Sequence, residues 1–204
     1  MAEIAKDMTD RQKEIVRFKI SQIKKALIAD KRQWGGNYHD GAGFRYLQPA
    51  LYIQIHDYKG AIRYFNWFEK NFPEDSGYPI FLFEWTITLF KTGNTKLATK
   101  KAFETFMSNT YLFDKFFNKE FLQFEKWEGS NWEMLETADY LPYVSTQEDL
   151  LDFSNWLDTF LKSRPFNDAA NQFIEIQKQL KILPVGKKRS LLIKKEIELI
   201  HAFA

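Results

Sequence analysis

Apolar residues recur at steps of three and four along most of this chain, which is the spacing of one face of an α-helix. The first such series consists of Val16, Ile20, Ile23 and Leu27. It predicts a helix over residues 9–30, with Thr9 or Asp10 as the N-cap. The segment QWGGNYHDGAG follows, and its four glycines predict a loop that is the strongest break in the chain.

Four further segments up to residue 110 show the same periodicity. They cover residues 44–55, 58–72, 80–91 and 95–109. Pro49 lies inside the first, so that helix either begins near Pro49 or is kinked there. Pro73 ends the second, because the residue before a proline avoids the α region. Residues 80–91 are apolar on almost every side, which predicts burial on more than one side. The fourth segment directs Leu97, Ala98, Ala102, Phe103 and Phe106 inward.

The remaining residues predict helices of less uniform length. Residues 111–144 are aromatic and irregular, with one or two short helices and a break at Gly129 and Ser130. Helices are then expected over 146–163 and 166–182, and a basic amphipathic helix over 187–204. Ser145 or Thr146 would cap the first of these three, because Glu148 and Asp149 would fall in its first turn.

The predicted fold class is therefore all-α, with about nine helices that are mostly joined as antiparallel pairs. No segment alternates convincingly at a period of two residues. We expect one domain over residues 1–204, made of an N-terminal helix, two helix pairs, an irregular aromatic segment and C-terminal helices. Their ranges are 9–30, 44–110, 111–144 and 145–204.

Composition excludes several classes of function but does not identify one. The chain has 204 residues with 29 basic and 27 acidic side chains, a balance that makes nucleic acid an unlikely partner. It contains no cysteine, which excludes disulfides and thiolate chemistry. No apolar stretch reaches the length of a membrane span, so a cytoplasmic protein is expected. Aromatic residues make up 17% of the chain, enough for a core of large rings.

Two of the helix pairs repeat a common pattern. When YIQIHDYKGAIRYFNWFEKNFP is aligned with LFKTGNTKLATKKAFETFMSNT, Ala61 falls on Ala98 at an offset of 37 residues. The segment 44–110 resembles the tetratricopeptide repeat, a helix-turn-helix unit of 34 residues. The residues that carry the resemblance are Asp57, Tyr58, Ala61, Phe65 and Pro73 in the first unit, and Gly93, Asn94 and Ala98 in the second. The second unit departs from the pattern, with Ala102 at the aromatic position and no closing proline.

The resemblance implies a short right-handed superhelix whose concave groove is lined by the first helix of each unit. The residues that would face this groove are Tyr46, Ala50, Ile53 and Gln54 in the first unit, and Phe83, Ile87, Phe90 and Lys91 in the second. Such a groove would suit an apolar or aromatic peptide segment. The leading hypothesis is a non-catalytic adaptor that binds another protein, without cofactor or metal.

Several features allow other hypotheses. His39 and Asp40 suggest a metal pair, but His56 and His201 offer no converging ligand, so a structural or solvated role is expected. The glutamates at 120, 125, 128, 133 and 136 lie among aromatic residues and suggest a hydrolase with paired carboxylates. An inhibitor or immunity-type protein that blocks one toxin or enzyme is a further alternative. The basic helix 187–204 would contact RNA or anionic lipid, or else cap the fold through Leu192, Ile193, Ile197 and Ile200.

Overall fold

The computed structural model describes residues 8–121 and 124–203. The chain divides into two compact units, Met1–Gly77 and Tyr78–Ala204. Every regular element in the described residues is a helix, so the predicted all-α class is confirmed. The single domain predicted for residues 1–204 stays a prediction. None of the described helices combines the length and apolarity that crossing a membrane requires.

In the part that the structure describes, the N-terminal unit contains three α-helices and one short 3₁₀ turn. They are α1 (Asp10–Gln33), the turn Phe44–Tyr46, α2 (Gln48–Gln54) and α3 (Tyr58–Asn71). Thr9 caps α1 in a capping box, with its side chain accepting from the Gln12 backbone N–H and its own N–H donating to the Gln12 side chain. Pro49 lies in the first turn of α2, so that helix begins there and is not kinked. Val16, Ile20 and Leu27 are the buried residues of α1.

Small residues let α2 and α3 approach each other closely. Ala61 has no exposed surface, and a Cβ at Gly60 would overlap Asp57 Oδ2 and lie 2.6 Å from Tyr52 Cε1. The chain reverses between the helices at His56, whose φ of 57° is left-handed. Asp57 then caps α3 by accepting from the Gly60 N–H at 2.8 Å. The packed pair α2–α3 corresponds to the first predicted helix pair.

The C-terminal unit contains seven α-helices in its described residues. They are α4 (Pro79–Lys91), α5 (Thr95–Ser108), α6 (Leu112–Phe116), α7 (Leu135–Ala138), α8 (Leu151–Leu161), α9 (Arg164–Ile182) and α10 (Lys187–Leu199). Eleven of the thirteen residues of α4 are buried, as its all-round apolar pattern predicts. In α5, Ala98 and Ala102 have no exposed surface, and α4 and α5 pack as the second predicted pair. Leu97 is 54% exposed, so its predicted inward position is wrong.

The predicted cap of the next helix is also wrong. Neither Ser145 nor Thr146 caps α8, whose N-cap residue is Leu150. Ser145 and Thr146 lie instead in a turn where the Gln147 side chain accepts from the Val144 N–H at 2.7 Å. A 3₁₀ turn over Glu148–Leu150 follows, and the α-helix begins only at Leu151.

The basic helix α10 does not dock through all four of its predicted residues. Ile193 and Ile197 are 41% and 56% exposed, and Leu192 and Ile200 are half-buried. The chain end is instead fixed by Phe203, which is buried with its ring centroid 4.6 Å from that of Phe103.

We predict that Gly60→Ala destabilises the protein by about 1–3 kcal/mol, because the added methyl group collides with Asp57 and the Tyr52 ring. Alanine alone would favour the helix by about 1 kcal/mol, so a loss is diagnostic of the close contact. Urea unfolding monitored by circular dichroism measures the effect. Lys59→Ala, at the exposed neighbouring position, is the control and should change stability little. An equal stability of the Gly60 variant and the wild type would contradict the prediction.

Candidate functional site

A pocket of about 300 Å³ opens among the three helices of the N-terminal unit. Its walls are mainly aromatic, with Tyr52 from α2 and Tyr64 and Trp67 from α3. Tyr38 from the loop after α1 and Gln48 from the start of α2 also line it. The rest of the lining consists of Lys24, Leu27 and Ile28 of α1 and of Gly60 and Arg63 of α3. We call this site the aromatic pocket. Its volume lies at the lower limit for ligand pockets, which suits one inserted side chain or ring.

The rings of the aromatic pocket hold one another in place. The Tyr64 and Trp67 centroids lie 5.2 Å apart, and Tyr38 meets Trp67 edge-on at 5.4 Å. The Tyr64 hydroxyl donates to the backbone carbonyl of Arg45. Burial is the main reason that the pKa of Tyr64 is raised, so this hydroxyl keeps the proton that it donates. These contacts orient the rings that line the pocket.

Two carboxylates hold the loop that brings Tyr38 to the pocket. Asp30 Oδ2 accepts from the backbone N–H groups of His39 and Asp40, at 2.8 and 3.0 Å. Asp40, whose side chain is fully buried, accepts from the N–H groups of Phe44 and Arg45, both at 2.9 Å. Asp40 is thus an anchor of this loop. Among the described residues no cluster of three or more acidic or histidine side chains could hold a metal ion.

Gln48 is the most unusual member of the aromatic pocket. The residue has no exposed surface, and neither Nε2 nor Oε1 has a hydrogen-bond partner. Leaving a buried polar group unpaired costs about 1–3 kcal/mol. Because both amide atoms lie below the pocket surface, a ligand reaches them only if a wall ring shifts. Such a fully unpaired buried amide is rare in folded proteins.

Cations surround the mouth of the aromatic pocket. Lys24 and Arg63 line it, and Lys24 Nζ lies 5.6 Å from the Tyr52 ring centroid. Lys31 Nζ lies 4.8 Å from the Tyr38 ring centroid. The nearby Asp30 and Asp57 both accept backbone N–H hydrogen bonds. These carboxylates keep their negative charges, so the surroundings of the pocket carry charges of both signs.

The predicted groove residues of the N-terminal unit differ in accessibility. Ile53 is 2% exposed and Gln54 is exposed, while Tyr46 and Ala50 are half-buried. The Tyr46 hydroxyl donates to Asp75 Oδ2 at 2.7 Å, and Arg45 Nε donates to the same oxygen at 2.6 Å. The Tyr46 hydroxyl therefore fixes the segment after α3, although its predicted partner-binding role stays a prediction.

The predicted groove residues of the C-terminal unit are covered by that unit's own side chains. Phe83 and Ile87 have no exposed surface, and the Phe83 centroid lies 5.6 Å from that of Phe153 in α8. The Phe90 ring stacks on Trp156 at 5.0 Å. Lys91 Nζ donates to the Asp149 carbonyl at 2.5 Å and pairs with Asp152. Because Phe83 and Ile87 are fully buried, we assign no partner contact to them.

The acidic segment 120–136 uses two of its glutamates in local contacts. Glu133 accepts from the Gly129 N–H at 3.1 Å and the Ser130 hydroxyl at 3.2 Å. Glu128 Oε1 accepts from Lys126 Nζ at 3.0 Å. Glu120, Glu125 and Glu136 are exposed. The hydrolase hypothesis gains no support from Glu128 and Glu133, because these contacts already explain their positions.

Two carboxyl groups of the C-terminal unit were not found by sequence reasoning. Burial is the main reason that the pKa of Glu196 is raised to about 7, and the charge of Glu133 contributes to the same rise. Glu84, in the middle of α4, is fully buried, and burial raises its pKa to about 8. Glu84 Oε1 accepts from the Tyr143 hydroxyl at 3.0 Å, and its other oxygen has no partner. Glu84 is therefore a neutral acid near neutral pH.

Comparisons with protein-family models, with curated proteins and with solved structures returned no match. The resemblance to the tetratricopeptide repeat therefore depends on the residues that carry it. At the level of architecture, the described helices form packed pairs that are compatible with a helical repeat.

We predict that Gln48→Met raises the free energy of unfolding by about 1–3 kcal/mol, because it removes two unpaired polar atoms from a buried position of similar volume. Urea unfolding measures the gain as a higher midpoint with an unchanged slope. Gln54→Met makes the same change at an exposed position of the same helix and should have little effect. A less stable Gln48→Met variant would show that the amide has a partner in the folded protein.

We also predict that stability falls as pH rises from about 4.5 to about 8, since the folded protein keeps a proton on Glu84 that the unfolded chain releases. The slope for this group approaches about 1.4 kcal/mol per pH unit in the middle of this window and disappears below and above it. Glu84→Gln should lose this part of the pH dependence and be more stable than wild type at pH 8. Unfolding curves from pH 4 to 9 test it, with exposed Glu69→Gln as the control. Parallel curves for wild type and Glu84→Gln would refute it.

Proposed function

We propose that this protein is a non-catalytic binding module that captures another protein by accepting one of its side chains into the aromatic pocket. The observation that carries the proposal is the open pocket that has four aromatic rings in its lining and Lys24 and Arg63 at its edge. Hydrogen-bonding groups placed within an aromatic recess are the usual composition of a recognition site.

The size of the aromatic pocket favours the insertion of one side chain of the partner over a broad, flat contact. Binding energy at protein interfaces concentrates in a few groups that fill well-packed pockets. A pocket of about 300 Å³ holds one such group, and exposed Arg63 lies at its mouth to meet the flanking residues. The proposal thus relocates the contact from the predicted groove to the face of the N-terminal unit that α1, α2 and α3 form.

The similarity to tetratricopeptide-repeat adaptors belongs to this proposal. It is supported by Ala61 and Ala98, which occupy the small-residue position of each pair and have no exposed surface. A cytoplasmic location is likewise part of the proposal and is compatible with a chain that has no cysteine.

The test compares two tryptophan variants in affinity capture followed by quantitative mass spectrometry. Trp67→Ala removes one wall of the aromatic pocket, whereas Trp34→Ala removes a tryptophan that is 49% exposed and stacks on His39. We expect partner recovery to fall at least about tenfold with Trp67→Ala, as for an interface hot spot, and to stay unchanged with Trp34→Ala.

Arg63→Glu serves as a second variant, because an exposed substitution leaves the fold intact. Circular dichroism verifies that each variant is folded. Equal recovery of the same partner by wild type, Trp67→Ala and Arg63→Glu would refute the role of the pocket.

A further inference from the structure

The turn between α9 and α10 contains the two most exposed large hydrophobic side chains of the described residues. Ile182 is 82% exposed and Val185 is 96% exposed, and they lie within a run of four apolar residues. Turns more commonly contain glycine, asparagine, aspartate or serine. A run of exposed apolar residues costs solubility and is expected where the surface contacts a partner or a membrane. We call residues 182–185 the aliphatic turn.

Arg189 of α10 ties the aliphatic turn to the rest of the C-terminal unit. Its Nη1 donates to the Leu183 carbonyl at 3.2 Å and also to the Leu180 carbonyl, so two carbonyl groups at the end of α9 have a partner. The Arg189 guanidinium lies 4.6 Å from the ring centroid of Trp127. The backbone of the turn is therefore attached to its own unit, while the side chains of Ile182 and Val185 stay in water.

Exposed lysines flank the aliphatic turn on both helices. They are Lys178 and Lys181 in α9, and Lys187, Lys188, Lys194 and Lys195 in α10. Leu191 of α10 is 61% exposed, and the residues three and four positions before and after it are all lysines. Residues at these spacings are neighbours on a helix surface, so Leu191 lies among four positive charges. The exposed face of α10 therefore continues the combination of aliphatic and basic side chains that begins at the turn.

Acidic side chains are sparse around this surface. No aspartate or glutamate occurs in the last seven residues of α9, in the turn or in the first nine residues of α10. Glu175 and Glu198, the nearest exposed glutamates along the two helices, lie about 10 and 16 Å from the turn along the helix axes. The segment that contacts Arg189 adds Glu125 and Glu128, and Glu128 accepts from Lys126 Nζ at 3.0 Å. The six exposed lysines leave the surface with an excess of positive charge.

An anionic bilayer matches this surface better than nucleic acid or a second copy of the chain does. Its hydrocarbon accepts aliphatic side chains, and its headgroups attract clusters of lysines. Single-stranded nucleic acid stacks its bases on aromatic rings, and base recognition favours the arginine fork. The exposed side chains here are aliphatic and lysine, and the guanidinium of Arg189 already bonds to α9. A symmetric contact between two copies would place the same lysines opposite one another.

We propose that the α9–α10 hairpin binds peripherally to the surface of an anionic membrane. Ile182 and Val185 enter between the lipids, and the lysines of both helices contact the headgroups, with their aliphatic stems along the apolar boundary. The contact requires no membrane-spanning helix. It lies wholly within the C-terminal unit and goes beyond the proposed function, since it uses no residue of the aromatic pocket.

The experiment measures binding of the full chain to vesicles by co-sedimentation. One set of vesicles is phosphatidylcholine alone, and the other contains about 30% phosphatidylserine. A polyuridylate of about 16 nucleotides, followed by fluorescence anisotropy, tests nucleic acid as the alternative. We expect binding to the phosphatidylserine vesicles to be at least about tenfold tighter than to phosphatidylcholine alone, and to weaken as salt is added. Binding to the polyuridylate should be weaker than to the phosphatidylserine vesicles.

Charge-reversal variants test the contribution of the lysines. Lys187→Glu combined with Lys188→Glu should weaken binding to the phosphatidylserine vesicles at least about tenfold. Lys59→Glu combined with Lys96→Glu changes the net charge equally at exposed positions outside the hairpin and should weaken binding less than about twofold. All four positions are exposed, and circular dichroism verifies that each variant is folded.

A second set of variants tests insertion of the aliphatic turn. Ile182→Ser combined with Val185→Ser should weaken vesicle binding several-fold, whereas Leu97→Ser, at a 54% exposed position of α5, should not change it. Because the chain has no cysteine, Val185→Cys can hold a single environment-sensitive dye. Its emission should shift to the blue when phosphatidylserine vesicles are added, and the same dye on Leu97→Cys should not respond.

Several results would overturn this proposal. Equal binding to both kinds of vesicle, or binding to neither, would show that the surface does not recognise an anionic membrane. Tighter binding of the polyuridylate than of the phosphatidylserine vesicles would assign the lysines to nucleic acid. Vesicle binding that persists unchanged in either hairpin double variant would place the contact elsewhere. Trp67→Ala should not affect vesicle binding, so each of these results leaves the proposed function of the aromatic pocket standing.

Discussion

The close approach of Tyr52 to Gly60 is the contact on which the N-terminal unit depends. A ring can lie against a helix backbone only where no Cβ intervenes, and a Cβ at Gly60 would lie 2.6 Å from Tyr52 Cε1. This contact sets the distance between α2 and α3, and the same two residues line the aromatic pocket. The packing of the helix pair and the shape of the site therefore have one cause, and a change at Gly60 affects both.

The helices themselves could be predicted because burial imposes a period on the sequence. Pro73 marked the end of α3, and the all-round apolar pattern of α4 corresponds to its near-complete burial. The errors occur where local hydrogen bonds determine the start of a helix, or where a single residue determines how the C-terminal segment packs. The start of α8 depends on the Gln147 side chain, and the docking of the C-terminus depends on Phe203 and not on Ile193. The hydrophobic periodicity of the sequence reports neither such side-chain hydrogen bonds nor which residue packs at the C-terminus.

The candidate site was harder to predict than the fold. A repeat pattern shows which face of a helix is apolar but not which later segment covers it, and in the C-terminal unit Phe153 of α8 contacts Phe83. Tyr38 reaches the aromatic pocket from a glycine-rich loop without periodicity. The sequence does contain a signal for Gln48. This residue precedes the buried Tyr52 by four positions and Ile55 by seven, so it lies on the apolar face of α2 although its side chain is an amide.

The burial of Glu84 couples the folding of this protein to the uptake of a proton. Near neutral pH the unfolded chain has an ionised carboxylate at this position, whereas the folded chain has a carboxylic acid whose partner is Tyr143. Each molecule that folds therefore takes up close to one hydrogen ion from the buffer at this residue. The heat measured in a calorimeter then includes the ionisation heat of that buffer. Two buffers of equal pH but different ionisation heats will report different unfolding enthalpies for the same protein.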